Sequence, residues 1–114
     1  MGRIFKPVEV SFNGVGRVSV GLLDTGADET VVSKVLAKKL GAELYGNYEA
    51  VCASGFLLKG KYADLVIRDL DSGKSICLKV GVSDVPFDTD DISEEGLDVI
   101  LGVDFLQKVG LKIE

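Results

Sequence analysis

The chain of 114 residues contains no histidine. This absence excludes Ser-His and Cys-His nucleophilic systems and most zinc sites, because all of them use an imidazole. Cysteine is also scarce: Cys52 and Cys77 are the two present, and they do not form a CxxC pair. We interpret them as buried thiols, with one disulfide in an oxidising compartment as the alternative. A cysteine nucleophile is disfavoured, because no histidine is there to help form the thiolate.

A net positive charge and long apolar runs are lacking as well. The net charge is −5 and the sequence pI is about 4.7, so we expect neither nucleic acid nor an anionic membrane surface as a partner. No run of about 18 apolar residues is present and no signal peptide is visible, so we expect a cytoplasmic protein. The length suits a single domain over residues 1–114.

Alternating apolar and polar residues predict a succession of β-strands. Residues 8–12 and 17–23 alternate in this way and flank Asn13-Gly14, a strong hairpin turn signal. Further strands are predicted at residues 48–67 (a long hairpin turning at 53–55), 75–82, 97–101 and 111–114.

Two short helices are predicted between these strands. Residues 33–40 read as a helix that Ser33 caps and Gly41 ends. Its expected apolar face consists of Val35, Leu36 and Leu40. A second helix is expected at residues 104–109, before Gly110. Many strands with two short helices predict an all-β, barrel-like domain.

The chemically informative triplet is Asp24-Thr25-Gly26, which directly follows Leu22-Leu23. A carboxylate at the end of a buried apolar strand is costly unless it is paired or hydrogen-bonded. Threonine adds a hydroxyl, and glycine lets the backbone approach another group closely. The same residue types also favour ordinary turns. The triplet alone therefore leaves a turn and a catalytic site open.

The longer stretch of residues 22–30 resembles the active-site motif of the retropepsin family. That motif reads apolar-apolar-Asp-Thr-Gly-Ala, then acidic residues and Thr. Val99-Ile100-Leu101-Gly102, followed by Asp104-Phe105-Leu106, resembles the family's apolar-apolar-Gly segment and terminal helix. The resemblance extends over residues 8–114. It implies a retropepsin-like acid protease barrel, with short helices after the active-site loop and near the C-terminus, and an aspartic endopeptidase that works as a homodimer.

The resemblance also implies roles for individual residues. Asp24 would be the catalytic carboxylate, Thr25 would hydrogen-bond across the dimer, and Gly26 would let the two active-site loops meet. The residues expected to contact substrate lie in the motif, at the tip of a flap and in a side-chain pocket: Gly26, Ala27, Asp28 and Glu29; Ala53, Ser54 and Gly55; and Ile100.

Peptide hydrolysis by two carboxylates requires a dimer of this chain. A base must activate water and an acid must protonate the leaving nitrogen, and two carboxylates that share a proton supply both. Since one chain carries one such motif, a two-fold axis should place Asp24 beside its copy. We expect a peptide or protein substrate, a second copy as partner, and neither cofactor nor metal. Ile4, Phe5 and residues 111–114 are candidate interface strands.

A non-catalytic dimer that binds peptides or a protein is the alternative, and a structural β-domain is a weaker one. Val103 stands where retroviral members often have an Arg that pairs with the acidic residue of the motif, here Asp28. Arg3, Lys6 or Arg17 are possible substitutes.

Two other acidic sites are disfavoured. Asp71-Ser72-Gly73 is also similar to a motif of two-lobed aspartic proteases, but Lys74 follows it, and we interpret it as a hairpin turn. The acidic loop at residues 84–96 lacks EF-hand spacing. The carboxylates of residues 24–29 are weak grounds for a magnesium site.

Overall fold

The computed structural model describes residues 4–51, 57–84 and 98–110. Over these residues the chain forms seven strands and two short helices. They are β1 (Phe5–Phe12), β2 (Val15–Leu23), β3 (Val31–Ser33), α1 (Lys34–Leu40), β4 (Tyr45–Val51), β5 (Leu57–Asp69), β6 (Ser75–Ser83), β7 (Val99–Leu101) and α2 (Val103–Val109). The predicted all-β domain with two short helices is confirmed.

Six of these strands close into a barrel. Their order is β1-β2-β7-β3-β6-β5, and β1 pairs again with β5 to complete the ring. β4 pairs antiparallel with β5 and extends the sheet beyond the ring. The short β7 runs parallel to β2 and antiparallel to β3. The segments that resemble the retropepsin motifs therefore lie on neighbouring strands.

The first hairpin, β1–β2, follows from its turn chemistry. Asn13 and Gly14 have φ of 53° and 85°, as expected for a two-residue turn that needs positive φ at both positions. Within β1 the alternation holds, since Val8 and Val10 are completely buried. Pairing extends back to Phe5, opposite Leu22, so the strand begins before the residues that the alternation marked.

Helix α1 has the predicted caps but a different apolar face. Ser33 Oγ accepts a hydrogen bond from the Leu36 N–H (3.1 Å), and Gly41, with φ of 69°, ends the helix. The predicted burial of Val35 is wrong, since this side chain is 58% exposed. The buried residues are Leu36, Ala37 and Leu40. Spacings of three and four place these on one face, and Val35 points away from it.

Sequence analysis did not assign a strand to β3. Val31, Val32 and Ser33 are all buried, because β7 and β6 flank this three-residue strand. A strand buried on both faces shows no alternation, and three residues are too few for any period to register.

The buried-thiol interpretation is wrong for Cys77, which is a free and exposed thiol. On β6 the side chains of Leu78, Val80 and Val82, which share one face, are buried. Because side chains alternate along a strand, Cys77 shares the outer face with Lys79. Cys52, the flap-tip residues 53–55, residues 85–96 of the acidic loop and residues 111–114 lie outside the described residues. Among the helices that are described, neither is long and apolar enough to cross a bilayer.

Candidate active site

The Asp-Thr-Gly triplet lies where β2 ends, and the chain turns there in a defined way. The Asp24 N–H donates to the carbonyl oxygen of Leu101 (2.9 Å), which continues the β2–β7 contact by one residue. The Gly26 N–H donates to Asp24 Oδ1 (2.9 Å) and the Ala27 N–H to the Asp24 carbonyl oxygen (3.1 Å). The turn thus orients the carboxylate, and the Asp24 side chain remains exposed in the single chain.

The second retropepsin-like segment packs directly against the triplet. Leu22 lies opposite Ile100 and Leu23 opposite Leu101 in the parallel β2–β7 pair. A Cβ atom on Gly102 would lie 2.8 Å from the carbonyl oxygens of both Ala27 and Glu29. Glycine is therefore required at position 102, because the backbone after the triplet passes too close for any side chain.

The first turn of α2 fixes the backbone that follows the triplet. The Val103 N–H donates to the Ala27 carbonyl oxygen (2.8 Å), and the Asp104 N–H donates to that of Asp28 (3.3 Å). These N–H groups belong to a helix start, where no carbonyl within the helix can accept them. The acceptors come from the loop that follows the triplet, so the motif supplies the partners that the helix start lacks.

A partly buried polar pair completes this attachment. The Asp104 carboxylate accepts hydrogen bonds from Thr30 Oγ1 (2.7 Å) and from the Thr30 N–H (3.0 Å). Thr30 is completely buried, and its hydroxyl also accepts from the Gly102 N–H (3.1 Å). Sequence analysis missed this pair. The available signal was a hydroxyl and a carboxylate in the two segments that resemble the retropepsin motifs.

A cavity of about 370 Å³ opens beside the triplet. Six of the residues predicted to form the site line it together: Asp24, Gly26, Ala27, Asp28, Glu29 and Ile100. Thr25 is exposed and does not belong to the lining. Six further lining residues were not predicted: Val31, Tyr48, Glu49, Ala50, Val51 and Leu58. Most of these belong to the β4–β5 hairpin, of which sequence analysis had assigned the tip alone to the site.

The cavity lining combines acidic side chains with apolar ones. The carboxylates of Asp24, Asp28 and Glu29 come from the motif loop, and the apolar lining includes Val31, Leu58 and Ile100. Such a cavity can hold an apolar side chain next to a carboxylate. No group of three or more cysteine or carboxylate side chains among the described residues is placed to hold a metal ion.

Lys6, a proposed substitute for the missing arginine, is engaged elsewhere in the chain. Its Nζ donates to Asp71 Oδ2 (2.5 Å) and lies 3.6 Å from Asp69 Oδ1. The hydrogen bond to Asp71 raises the pKa of Lys6 above its usual value. Within one chain, Lys6 therefore does not serve as the partner of Asp28.

Two solved structures have a similar fold. EIAV protease in complex with an inhibitor matches with a TM-score of 0.73 at 23% identity, over 99% of this chain and 93% of that one. The retroviral protease-like domain of Ddi1 from Leishmania major matches with a TM-score of 0.52 at 17% identity, over 97% of this chain and 79% of that one. This likeness confirms the retropepsin-like barrel predicted above. No curated protein sequence matches the chain.

The family is established by sequence. A family model described as aspartyl protease matches residues 8–105. The matched region contains both the Asp-Thr-Gly triplet and the segment that packs against it, formed by β7 and the first turn of α2. The chain therefore belongs to the aspartyl protease family and has a retropepsin-like fold.

Proposed function

We propose that this protein is a homodimeric aspartic endopeptidase in which Asp24 of each copy contributes one of two catalytic carboxylates. The observation that carries the proposal is the position of Asp24. Its carboxylate is held by the Gly26 N–H, is exposed in the single chain, and lines a cavity with an apolar side. One chain supplies half of the chemistry, and a copy related by a two-fold axis supplies the rest.

Two carboxylates at such an axis perform acid and base catalysis together. Carboxylates about 3 Å apart cannot both be ionised, so the pair shares one proton, as in known aspartic proteases. The ionised member takes a proton from a water molecule as the water attacks the peptide carbonyl carbon. The protonated member then delivers its proton to the leaving nitrogen. The attacking group is water, so no covalent intermediate with the enzyme forms.

The rest of the lining suits an extended peptide. Gly26, Ala27, Asp28 and Glu29 follow one another along one side of the cavity and supply the contacts to the substrate backbone. The apolar side, which includes Ile100, accommodates apolar side chains next to the scissile bond. We assign Thr25 to the contact with the second copy.

The direct test is Asp24→Asn. This variant should keep the fold and lose essentially all cleavage of a fluorogenic peptide library, because a carboxamide can neither accept the proton from water nor donate one. Asp71→Asn is the matched control, since Asp71 begins the similar triplet Asp71-Ser72-Gly73 in an exposed turn. It should retain activity. Full activity of Asp24→Asn would refute the mechanism.

A non-catalytic dimer that binds peptides or a protein is the second candidate. Val103, where the resemblance calls for arginine, favours it. A statine peptide, whose hydroxyl mimics the transition state, should bind an enzyme far more tightly than a matched substrate peptide. Equal binding of both peptides, without turnover between about pH 4 and 7, would favour the binding module.

A further inference from the structure

Tyr48 is a buried aromatic residue that lines the cavity and does not belong to the motif. It is 2% exposed, and it clusters with Val31 and Leu58. Val31 begins β3, directly after the motif, while Leu58 belongs to the β4–β5 hairpin. Tyr48 therefore contacts both the strand that follows the motif and the β4–β5 hairpin.

The ring of Tyr48 packs against Gly81, where the lack of a side chain leaves room for it. A Cβ atom on Gly81 would lie 2.5–2.7 Å from three atoms of the ring, so the ring rests on the Gly81 backbone. On its other side the ring meets Tyr62 edge-on, with centroids 5.5 Å apart and planes at 85°. Edge-on contact is a favourable geometry for aromatic pairs.

An irregularity in β4 brings Tyr48 to this place. Tyr45 pairs with Tyr62, but Tyr48 pairs with Gly60, so β4 carries one extra residue over this interval. Regular pairing would put Tyr48 opposite Lys59. Glycine is required at position 60 for a different reason, because a Cβ atom there would overlap the Val82 carbonyl oxygen. The bulge and Gly81 together determine where the Tyr48 ring packs.

Beyond Tyr48 the hairpin borders the same cavity as the motif. We call residues 49–51 and 57–58 the hairpin wall; its members Glu49, Ala50, Val51 and Leu58 line the cavity together with Asp24. Tyr48 is the buried residue of β4 next to this wall.

We propose that Tyr48 is a positioning residue for peptide cleavage: its ring, seated on Gly81, fixes the distance between the hairpin wall and the motif that carries Asp24. The inference rests on the proposed function. Because wall and motif contact the same bound peptide, a displaced wall weakens binding in the ground and transition states alike. Such a loss appears in KM more than in kcat.

The first experiment compares kinetics of Tyr48→Ala, Tyr48→Phe and Tyr45→Ala. Tyr48→Ala should raise KM roughly tenfold or more and change kcat much less, whereas Tyr48→Phe keeps the ring and should restore a nearly normal KM. Tyr45 is the matched control, because it also contacts the Tyr62 ring (6.2 Å between centroids) but does not line the cavity. An unchanged KM in Tyr48→Ala, or an equal rise in Tyr45→Ala, would overturn the proposal.

A second experiment tests the seat itself. In Gly81→Ala the added methyl group displaces the Tyr48 ring, so KM should rise as it does in Tyr48→Ala. In the double variant the added methyl group has no ring to displace, so its KM should not exceed that of Tyr48→Ala alone. If the rise in KM of the double variant equals the product of the two single rises, the two residues do not act through this contact. Gly81→Ala also serves as the perturbing variant if Tyr48→Ala does not fold.

A third measurement separates this inference from the proposed function. In the Asp24→Asn background, hydrogen exchange at residues 49–51 and 57–60 should accelerate roughly tenfold or more on Tyr48→Ala, while the β1–β2 hairpin exchanges as before. If exchange is unchanged or rises equally everywhere, the positioning role is wrong even in an active protease. If exchange responds locally but the wild-type chain cleaves no peptide, the proposed function fails and Tyr48 still positions the wall.

Discussion

At the scale of single side chains, Thr30 and Asp104 hold the Asp-Thr-Gly motif in place. Retroviral relatives often have an arginine after the glycine of the second segment, and here that residue is Val103. The attachment uses the Val103 N–H and the Asp104 carboxylate instead. Both act on the backbone between Ala27 and Thr30, so the motif is tied to α2 without a guanidinium group.

Removing the Asp104 carboxylate should therefore affect stability and catalysis together. Asp104→Ala leaves the buried Thr30 N–H without its acceptor, and we expect a loss of about 2–3 kcal/mol in the free energy of unfolding, with reduced kcat/KM. Asp104→Asn should retain most of both, because its amide can accept from the Thr30 N–H and donate to the Thr30 hydroxyl. Urea unfolding and peptide cleavage measure the two effects. An alanine variant as stable and active as wild type would show that the pair does not hold the motif.

At the scale of elements, the turn between β5 and β6 is organised by a buried carboxylate. Asp69 has no exposed surface. Its Oδ2 accepts from Ser72 Oγ (2.7 Å) and its Oδ1 from the Asp71 N–H (3.3 Å). Burial alone would raise its pKa, but these hydrogen bonds and the nearby Lys6 charge outweigh burial and lower the pKa of Asp69 below 3.8. Asp71-Ser72-Gly73 is thus a structural turn, as we interpreted it.

This turn should make the barrel sensitive to acid. Since the folded-state pKa of Asp69 lies below that of the unfolded chain, its stabilising contribution is complete above about pH 3.8 and declines as the pH falls through the lowered value. Asp69→Asn should lower the free energy of unfolding at neutral pH by about 2 kcal/mol, because a buried ionic acceptor is lost. The variant should also lose less further stability below pH 3.8 than wild type does. Thermal unfolding as a function of pH measures both, and parallel pH profiles would contradict the assignment.

On the scale of the whole molecule, the end of the single chain that carries the Asp-Thr-Gly motif is exposed. Asp24 is exposed, and so are the apolar side chains of Ile4 (47%) and Phe5 (43%). These residues lie close to the motif, because the Leu23 N–H donates to the Ile4 carbonyl oxygen (2.9 Å). A second copy packed against this end would bury apolar surface and bring the second Asp24.

A mixing experiment tests the homodimer without requiring its structure. Inactive Asp24→Asn added in excess to wild type should reduce cleavage strongly, because exchange of subunits leaves most wild-type chains in mixed dimers with one catalytic carboxylate. The Asp24→Asn, Phe5→Glu double variant is the control, since a charge at that apolar position should keep it out of dimers. Cleavage that is indifferent to excess Asp24→Asn would contradict a shared active site.

Elements with one face in the core could be predicted from sequence, and elements with other surroundings could not. The alternation in β1 and β6 and the capping residues Ser33 and Gly41 are local signals. β3 is buried on both faces, so its pattern has no period. Val35 was assigned to the wrong side of α1, because a helix of seven residues has too few apolar positions to define its face.

For the site, the sequence by itself determined what is local: the Asp-Thr-Gly triplet, whose Gly26 N–H reaches a carboxylate two residues away. Tertiary structure decided the rest. The Thr30–Asp104 contact joins residues 74 positions apart, and the ring of Tyr48 rests on Gly81 from another strand. Both depend on how the strands pair: β3 with β7 brings Thr30 near Asp104, and β5 pairs with both β4 and β6 and so brings Tyr48 near Gly81. Spacing along one chain does not encode those distances.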